Sequence, residues 1–125
     1  MKYSAIKPTA VDVALNRAGR VTVASTEATG DAGYSGKIRF ATEGKMQMHL
    51  AERDLGVAFR NGHVINPVDR GHIAFRTDDI AAFLKILDEN GIPYSDYGTT
   101  FAKTWHQVFF LDPEGNVIEV HQQVG

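Results

Sequence analysis

Apolar residues recur at helical spacing between residues 78 and 93. Successive members of this stripe stand three or four positions apart, which places them on one face of a helix. They are Ile80, Phe83, Leu84 and Leu87. Asp78 or Asp79 can cap the first turn by accepting from free backbone N–H groups. Gly91, with Pro93 beyond it, supplies an end signal. The pattern predicts an amphipathic helix over this segment.

Alternating apolar and polar residues flank the helix and predict strands. One strand is expected within residues 71–77 and two more within 106–112 and 116–122. The sequence Asp-Pro-Glu-Gly at 112–115 favours a tight turn between the last two strands. If a short strand also lies within 94–100, the second half of the chain forms one βαβββ module.

Period-two geometry separates the two faces of these strands. On the last strand Ile118 and Val120 point one way and Glu119 the other, while Ile73 and Phe75 oppose His72 on the first. The helix is expected to cover the apolar faces. His72 and Glu119 would then share the opposite, open face.

The first half repeats this module in a weaker form. His72 matches Tyr3 (72 − 3 = 69), Phe110 matches Phe40 (110 − 40 = 70), and Glu119 matches His49 (119 − 49 = 70). The offset changes because residues are lost at the turns. We therefore predict a first module over 1–52, a crossover linker over 53–70 and a second module over 71–125.

Three motifs in the second half, HIAF, FFLDPEGN and IEVHQ, resemble those of the vicinal oxygen chelate superfamily, which includes glyoxalases, extradiol dioxygenases and bleomycin-resistance proteins. The resemblance implies an α+β fold in which two paired βαβββ modules form a cup-shaped mixed sheet with helices on its outer face. A ferredoxin-like βαββαβ domain is the more distant alternative, and the hairpin in each half argues against it.

The resemblance also implies a metal site on the open face, at the positions of Tyr3, His49, His72 and Glu119. Two imidazoles and one carboxylate form the mixed set of ligands that suits Mn, Fe, Co, Ni or Zn, so we predict that His49, His72 and Glu119 hold a divalent ion. The alternative for His49 is a histidine at the edge of a sheet that pairs with Gln47 or water. Glu119 and Tyr3 are the candidate catalytic residues. Tyr3 stands where three-ligand relatives commonly have a histidine, and it could ligate, donate a proton or line a pocket.

Other side chains are candidates for substrate binding. Lys7 and Arg76 occupy equivalent positions (76 − 7 = 69) and could bind an anionic group, although such side chains often extend to solvent. Gln47 is expected on the open face. Aromatic residues near the last hairpin could form a pocket wall or belong to the core: Phe101, Trp105 and Phe109. His121 could support Glu119 from the same face, but exposure at the terminus is the commoner outcome. His63 and His106 receive no role.

Composition excludes several classes of protein. The chain has 125 residues, a net charge of −2 and no basic run, which argues against binding nucleic acid. It has no cysteine and therefore no disulfide or thiolate ligand. No segment has the pattern of a signal peptide or the length of a membrane span, so a cytoplasmic protein is expected. A module of about 55 residues, the size predicted for each half, buries too little surface to be stable alone. This favours a homodimer.

Two functions of different classes follow from these observations. The first is a metal-dependent enzyme whose ion chelates adjacent oxygens of a small-molecule substrate, with isomerase, lyase or ring-opening chemistry. The second is a metal-free protein that binds a small molecule, as the bleomycin-binding relatives do. Tyr3 and the aromatic candidates favour the second, and the pair of His72 and Glu119 disfavours it.

Overall fold

The computed structural model describes residues 33–125 and the backbone of residues 22–27. Tyr3, Lys7 and the weaker helical pattern before residue 22 lie outside the described residues. The first sheet is antiparallel and has the order β1-β2-β3. Its strands are β1 (Thr22–Glu27), β2 (Lys37–Thr42) and β3 (Gln47–Ala51).

The second sheet has the order β4-β7-β6-β5, with a parallel β4–β7 pair and antiparallel pairs elsewhere. Its strands are β4 (Ile73–Arg76), β5 (Tyr94–Gly98), β6 (Trp105–Leu111) and β7 (Val117–Gln123). A one-turn helix, α1 (Val57–Arg60), lies between the sheets in sequence, within the predicted linker, and α2 (Ile80–Glu89) follows β4. The α+β class and the elements predicted after residue 71 are confirmed. The pairing of two βαβββ modules and their boundaries stay predictions.

Helix α2 begins and ends where its sequence signals predict. The side chain of Asp79 accepts a hydrogen bond from the backbone N–H of Ala82 at 3.0 Å, which satisfies one of the free donors of the first turn. Gly91 follows the helix with φ of +63°, a conformation in which a side chain would be strained. No helix in the described part of the chain is long and apolar enough to span a membrane.

Two apolar clusters hold the fold together. The smaller one packs α2 against the second sheet and has four buried members: Ile80, Leu87, Val108 and Val120. The larger one joins both sheets and the segment between them. It contains Tyr34, Ile38, Val57, Ile65, Val68, Tyr97, Phe101, Phe109 and Val117. The second sheet is therefore covered by α2 on one face and by the first sheet on part of the other.

The expectation that α2 covers the apolar face of β4 is wrong. Ile73 and Phe75 are 64% and 56% exposed. Helix α2 packs against Val108 of β6 and Val120 of β7, whereas β4 is the strand at the edge of the sheet. A single helix about 10 Å wide cannot cover the whole width of a four-stranded sheet.

The match between Phe40 and Phe110 is also corrected by the strand register. Phe40 pairs with His49, and the residue that pairs with Glu119 is Phe109. If His49 matches Glu119, Phe40 therefore matches Phe109 (109 − 40 = 69). A shift of one residue exchanges the two faces of a strand, so Phe40 faces the interior as Phe109 does. The residue lost in the turn accounts for the change of offset from 69 to 70.

Candidate functional site

A cavity of about 890 Å³ lies between the two sheets. Strands β2 and β3 provide one wall, and β4, β6 and β7 provide the other. Its polar lining includes His49, His72, Arg76, Gln107, Glu119 and His121. Its apolar lining includes Phe40, Met48, Val68, Phe101, Trp105 and Phe109. A cavity of this size and mixed lining is suited to a small organic molecule.

Glu119 is the buried centre of a hydrogen-bonded group on the cavity wall. The residue is only 2% exposed. Its Oε2 lies 2.9 Å from Nε2 of His72, and its Oε1 lies 2.8 Å from Nδ1 of His121. Gln107 donates from Nε2 to the same Oε1 at 3.0 Å. The carboxylate therefore has polar partners on both oxygens.

These contacts keep Glu119 ionised. Burial acts to raise the pKa of its carboxyl group, but the hydrogen bonds from His121, His72 and Gln107 outweigh burial and lower the pKa to about 2. Near neutral pH the cavity wall therefore carries a negative charge at this point.

The register of three adjacent strands brings these side chains together. Glu119 of β7 pairs with Ala74 of β4 and Phe109 of β6. His121, two residues later, pairs with Arg76 and with Gln107. Residues two apart on a strand share a face, so all six positions face the cavity side of the sheet. His72, just before β4 on the same face, reaches back to Glu119.

Arg76, Trp105 and His121 form a stacked group at one end of this wall. The guanidinium carbon of Arg76 lies 4.7 Å from the ring centroid of Trp105, within the range of a cation–π contact. The rings of Trp105 and His121 meet edge to face at 4.7 Å. The indole thus holds both side chains in place.

His49 occupies the opposite wall of the cavity. Its Nε2 lies 3.1 Å from Oε1 of Gln47, and its ring contacts the edge of Phe40 at 4.3 Å. Its side chain is exposed, although neighbouring residues partly desolvate the ring. Burial lowers its pKa, the charge of Glu119 acts to raise it, and His121 and His72 lower it further. The pKa of His49 therefore responds to the charges of the group on the facing wall.

The sequence-predicted residues are only partly brought together. His72 and Glu119 are in contact, and Gln47, Arg76, Trp105 and Phe109 line the same cavity. Phe101 contributes to both the cavity and the core. Within residues 33–125, no group of three or more His, Asp or Glu side chains is arranged so that it could hold a metal ion. The set of His49, His72 and Glu119 as metal ligands therefore stays a prediction.

For two polar residues of the site, the observed position differs from what the sequence predicted. His121 was expected to be exposed, but it is held between Glu119 and Trp105. Gln107 was not singled out, although it stands two residues before Phe109 and so shares its face. A polar residue at an inward position of a buried strand was the signal that could have identified it.

The remaining histidines lie outside the cavity lining. Nε2 of His106 pairs with Oδ1 of Asp96 at 2.7 Å across β5 and β6. The ring of His63 packs against Tyr97 at 4.3 Å. Both contacts join neighbouring segments of the fold.

Comparison with known proteins shows similarity to several solved structures. A glyoxalase family protein from Bacillus anthracis is 22% identical, with 79% of this chain and 73% of that chain covered and a TM-score of 0.41. An antibiotic-binding protein from Streptomyces is 20% identical, with 94% and 88% covered and a TM-score of 0.36. A lactoylglutathione lyase from Agrobacterium tumefaciens is 23% identical, with 78% and 75% covered and a TM-score of 0.32. At these identities and TM-scores the similarities carry no argument about the site.

No curated protein is significantly similar to the chain. The model of one protein family, however, matches residues 7–120, which is nearly the whole sequence. The resemblance inferred from HIAF, FFLDPEGN and IEVHQ is thereby confirmed. The chain belongs to the Glyoxalase/Bleomycin resistance protein/Dioxygenase superfamily.

Proposed function

We propose that the protein is a small-molecule enzyme of the glyoxalase or dioxygenase type that uses a divalent metal ion at His72 and Glu119. The observation that carries this proposal is the contact of 2.9 Å between Nε2 of His72 and Oε2 of Glu119 on the wall of the cavity. An imidazole nitrogen and an ionised carboxylate oxygen are both good ligands for Mn, Fe, Co, Ni or Zn.

The donor chemistry of the pair fits such an ion. Oε1 of Glu119 is engaged by His121 and Gln107, whereas His72 is the partner of Oε2 among the described residues. An ion that replaces the proton between His72 and Oε2 would leave the contacts on Oε1 intact. His121 and Gln107 then act as positioning residues, since hydrogen bonds from outer partners fix the orientation of a ligating carboxylate.

A third protein ligand would complete the site. His49 faces the pair from the opposite wall and would have to give up its contact with Gln47. Tyr3 lies outside the described residues and remains the other candidate. Two or three protein ligands leave coordination positions free for substrate.

The chain's own residues would position a substrate in this cavity. Trp105 and Phe109 offer apolar surfaces, and Arg76 and Gln47 offer polar groups along the walls. A bound ion would chelate adjacent oxygens of the substrate and stabilise negative charge that develops on them. Isomerase, lyase or ring-opening reactions all require such stabilisation.

A metal-free binding protein is the second candidate, and one specific observation favours it. Three protein groups already satisfy the carboxylate of Glu119, so its negative charge does not require a cation. The cavity would then bind an organic molecule without a metal ion, and its aromatic lining would contact the apolar part of that molecule.

Metal analysis of protein purified without added ions distinguishes the two candidates. The enzyme proposal expects a stoichiometric divalent ion in the wild type and its loss in His72→Ala. Lys85→Gln, on the outer face of α2, serves as the control and should retain the ion. Protein that binds none of the five metals after reconstitution would favour the metal-free binder.

A further inference from the structure

A second polar group lies beside the His72–Glu119 pair on the same wall. Arg76, His121 and Gln107 form a row across β4, β7 and β6, because His121 pairs with Arg76 on one side and with Gln107 on the other. At about 4.8 Å between strands, the backbones of Arg76 and Gln107 are about 10 Å apart. All three side chains line the cavity.

The guanidinium group of Arg76 has a fixed position and forms no ion pair with the described residues. Its stacking on Trp105 holds it over the cavity wall. None of the ion pairs formed within the described part of the chain involves Arg76. A guanidinium group carries a planar fork of N–H donors that matches a carboxylate, so this cation is available to an organic anion.

Gln107 has a buried acceptor without a partner. The residue is 6% exposed, and its Nε2 donates to Oε1 of Glu119. Because an ionised carboxylate can only accept, this contact fixes which end of the amide is nitrogen. The other end, Oε1, is buried and has no hydrogen-bond partner among the described residues. Such an atom is costly to leave unsatisfied, and a donor on a bound ligand would satisfy it.

We propose that the cavity selects an organic acid that carries a hydroxyl or N–H group close to its carboxylate. Arg76 binds the carboxylate, Gln107 Oε1 accepts from the neighbouring donor, and Trp105 contacts the apolar part. This inference rests on the proposed function only in requiring that the cavity binds a small molecule. It does not require the metal ion.

Trp105 provides the measurement, since it is the single tryptophan of the chain and belongs to the site. Three related compounds test the contact of Arg76 and the contact of Gln107 separately. Mandelate has an aromatic ring, a carboxylate and an adjacent hydroxyl; phenylacetate lacks the hydroxyl; mandelamide lacks the charge. Each is titrated against metal-free wild-type protein while the fluorescence of Trp105 is followed. We expect mandelate to bind about tenfold more tightly than either analogue, the effect of losing one good polar contact.

Substitutions test which residue causes each preference among the three compounds. Arg76→Gln should abolish the preference for mandelate over mandelamide and retain that for mandelate over phenylacetate. Gln107→Met should abolish the preference for mandelate over phenylacetate and retain that for mandelate over mandelamide. Lys85→Gln, which removes one positive charge on the outer face of α2, should change neither preference. The comparison of the three probes on the wild type stands even if a variant fails to fold.

The outcomes separate this inference from the proposed function. Equal affinity for all three probes would overturn the organic-acid preference while leaving a small-molecule cavity in place. Mandelate that fails to bind at millimolar concentration would overturn the inference as well, and metal analysis would still test the enzyme proposal independently. A preference that persists in Arg76→Gln would show that another cation binds the carboxylate and would contradict the assignment.

Discussion

Nε2 of His72 lies 2.9 Å from Oε2 of Glu119, although 47 residues separate them in sequence. The parallel pairing of β4 with β7 produces this contact, because Ala74 and Glu119 are register partners and His72 stands on the same face as Ala74. The contact between His72 and Glu119 is therefore formed within the second sheet. The first sheet adds the facing wall, with His49 and Phe40.

Acid should weaken the metal-free protein through Glu119. Its pKa is about 2 in the folded state against an ordinary value of 4.5, so folding favours the ionised form. The stabilisation is fully present above pH 4.5 and is lost as the pH falls towards 2. The free energy of unfolding, measured by urea denaturation from pH 5.5 to 2.5 with chelator present, should fall on the order of 2–3 kcal/mol further in the wild type than in Glu119→Gln. Parallel curves for the two proteins would contradict the lowered pKa.

Two neighbouring residues of α2 should respond differently to truncation. Leu87 is 2% exposed and packs in the cluster with Val108 and Val120, whereas Ile86 is 53% exposed. Leu87→Ala should lower the free energy of unfolding by about 2–5 kcal/mol. Ile86→Ala should change it by about 0.5 kcal/mol or less. Equal losses in urea denaturation would mean that α2 presents a different face to the sheet.

The protein is expected to form a homodimer. A module of the predicted size would bury little surface by itself, and β4, at the edge of the sheet formed by the described strands, exposes Ile73 and Phe75. Sedimentation at micromolar concentration should give twice the mass of the chain. Phe75→Ser should weaken the dimer more than Ile86→Ser, since both side chains are similarly exposed, at 56% and 53%, but only Phe75 lies on the strand edge. A stable wild-type monomer would contradict the prediction.

The second half of the fold could be predicted because its signals are local. The apolar stripe of α2, the cap at Asp79 and the turn at 112–115 each depend on residues close in sequence. Alternation along β4 and β7 was enough to assign His72 and Glu119 to one face. Pairing of these two strands then put the side chains in contact.

Features that depend on register or on the width of the sheet could not be predicted from the pattern. The face of Phe40 follows from its pairing with His49, and a difference of one residue reverses it. The exposure of Phe75 follows from the edge position of β4. The sequence placed His121 on the face of Glu119, but predicting that it is held there and not exposed required knowing that β6 places Trp105 and Gln107 beside it. Strand order, which sets all three, is not encoded in any one segment.

His49 decides how many protein ligands the metal site has. If it completes the site, His49→Ala should weaken the binding of a divalent ion about 10–100-fold, by analogy with the loss of other contacts that support a metal. Gln47→Ala, which frees His49 from its present hydrogen-bond partner, should leave binding unchanged or strengthen it. Equal affinities of His49→Ala and the wild type, measured by titration calorimetry, would assign the third position to another residue.

Thermal unfolding with divalent ions tests the central claim most directly. An ion that binds only the folded state raises the melting temperature by mass action, and protons compete with metal ions for their ligands as the pH falls. At pH 7.5 at least one of Mn, Fe, Co, Ni and Zn should therefore raise the melting temperature of the wild type, and the increment should shrink at pH 5.5. His72→Ala and Glu119→Gln should fold without metal and show no increment, while Lys85→Gln should behave as the wild type. A wild type whose melting temperature is unchanged by all five ions at pH 7.5 would contradict the metal-dependent function.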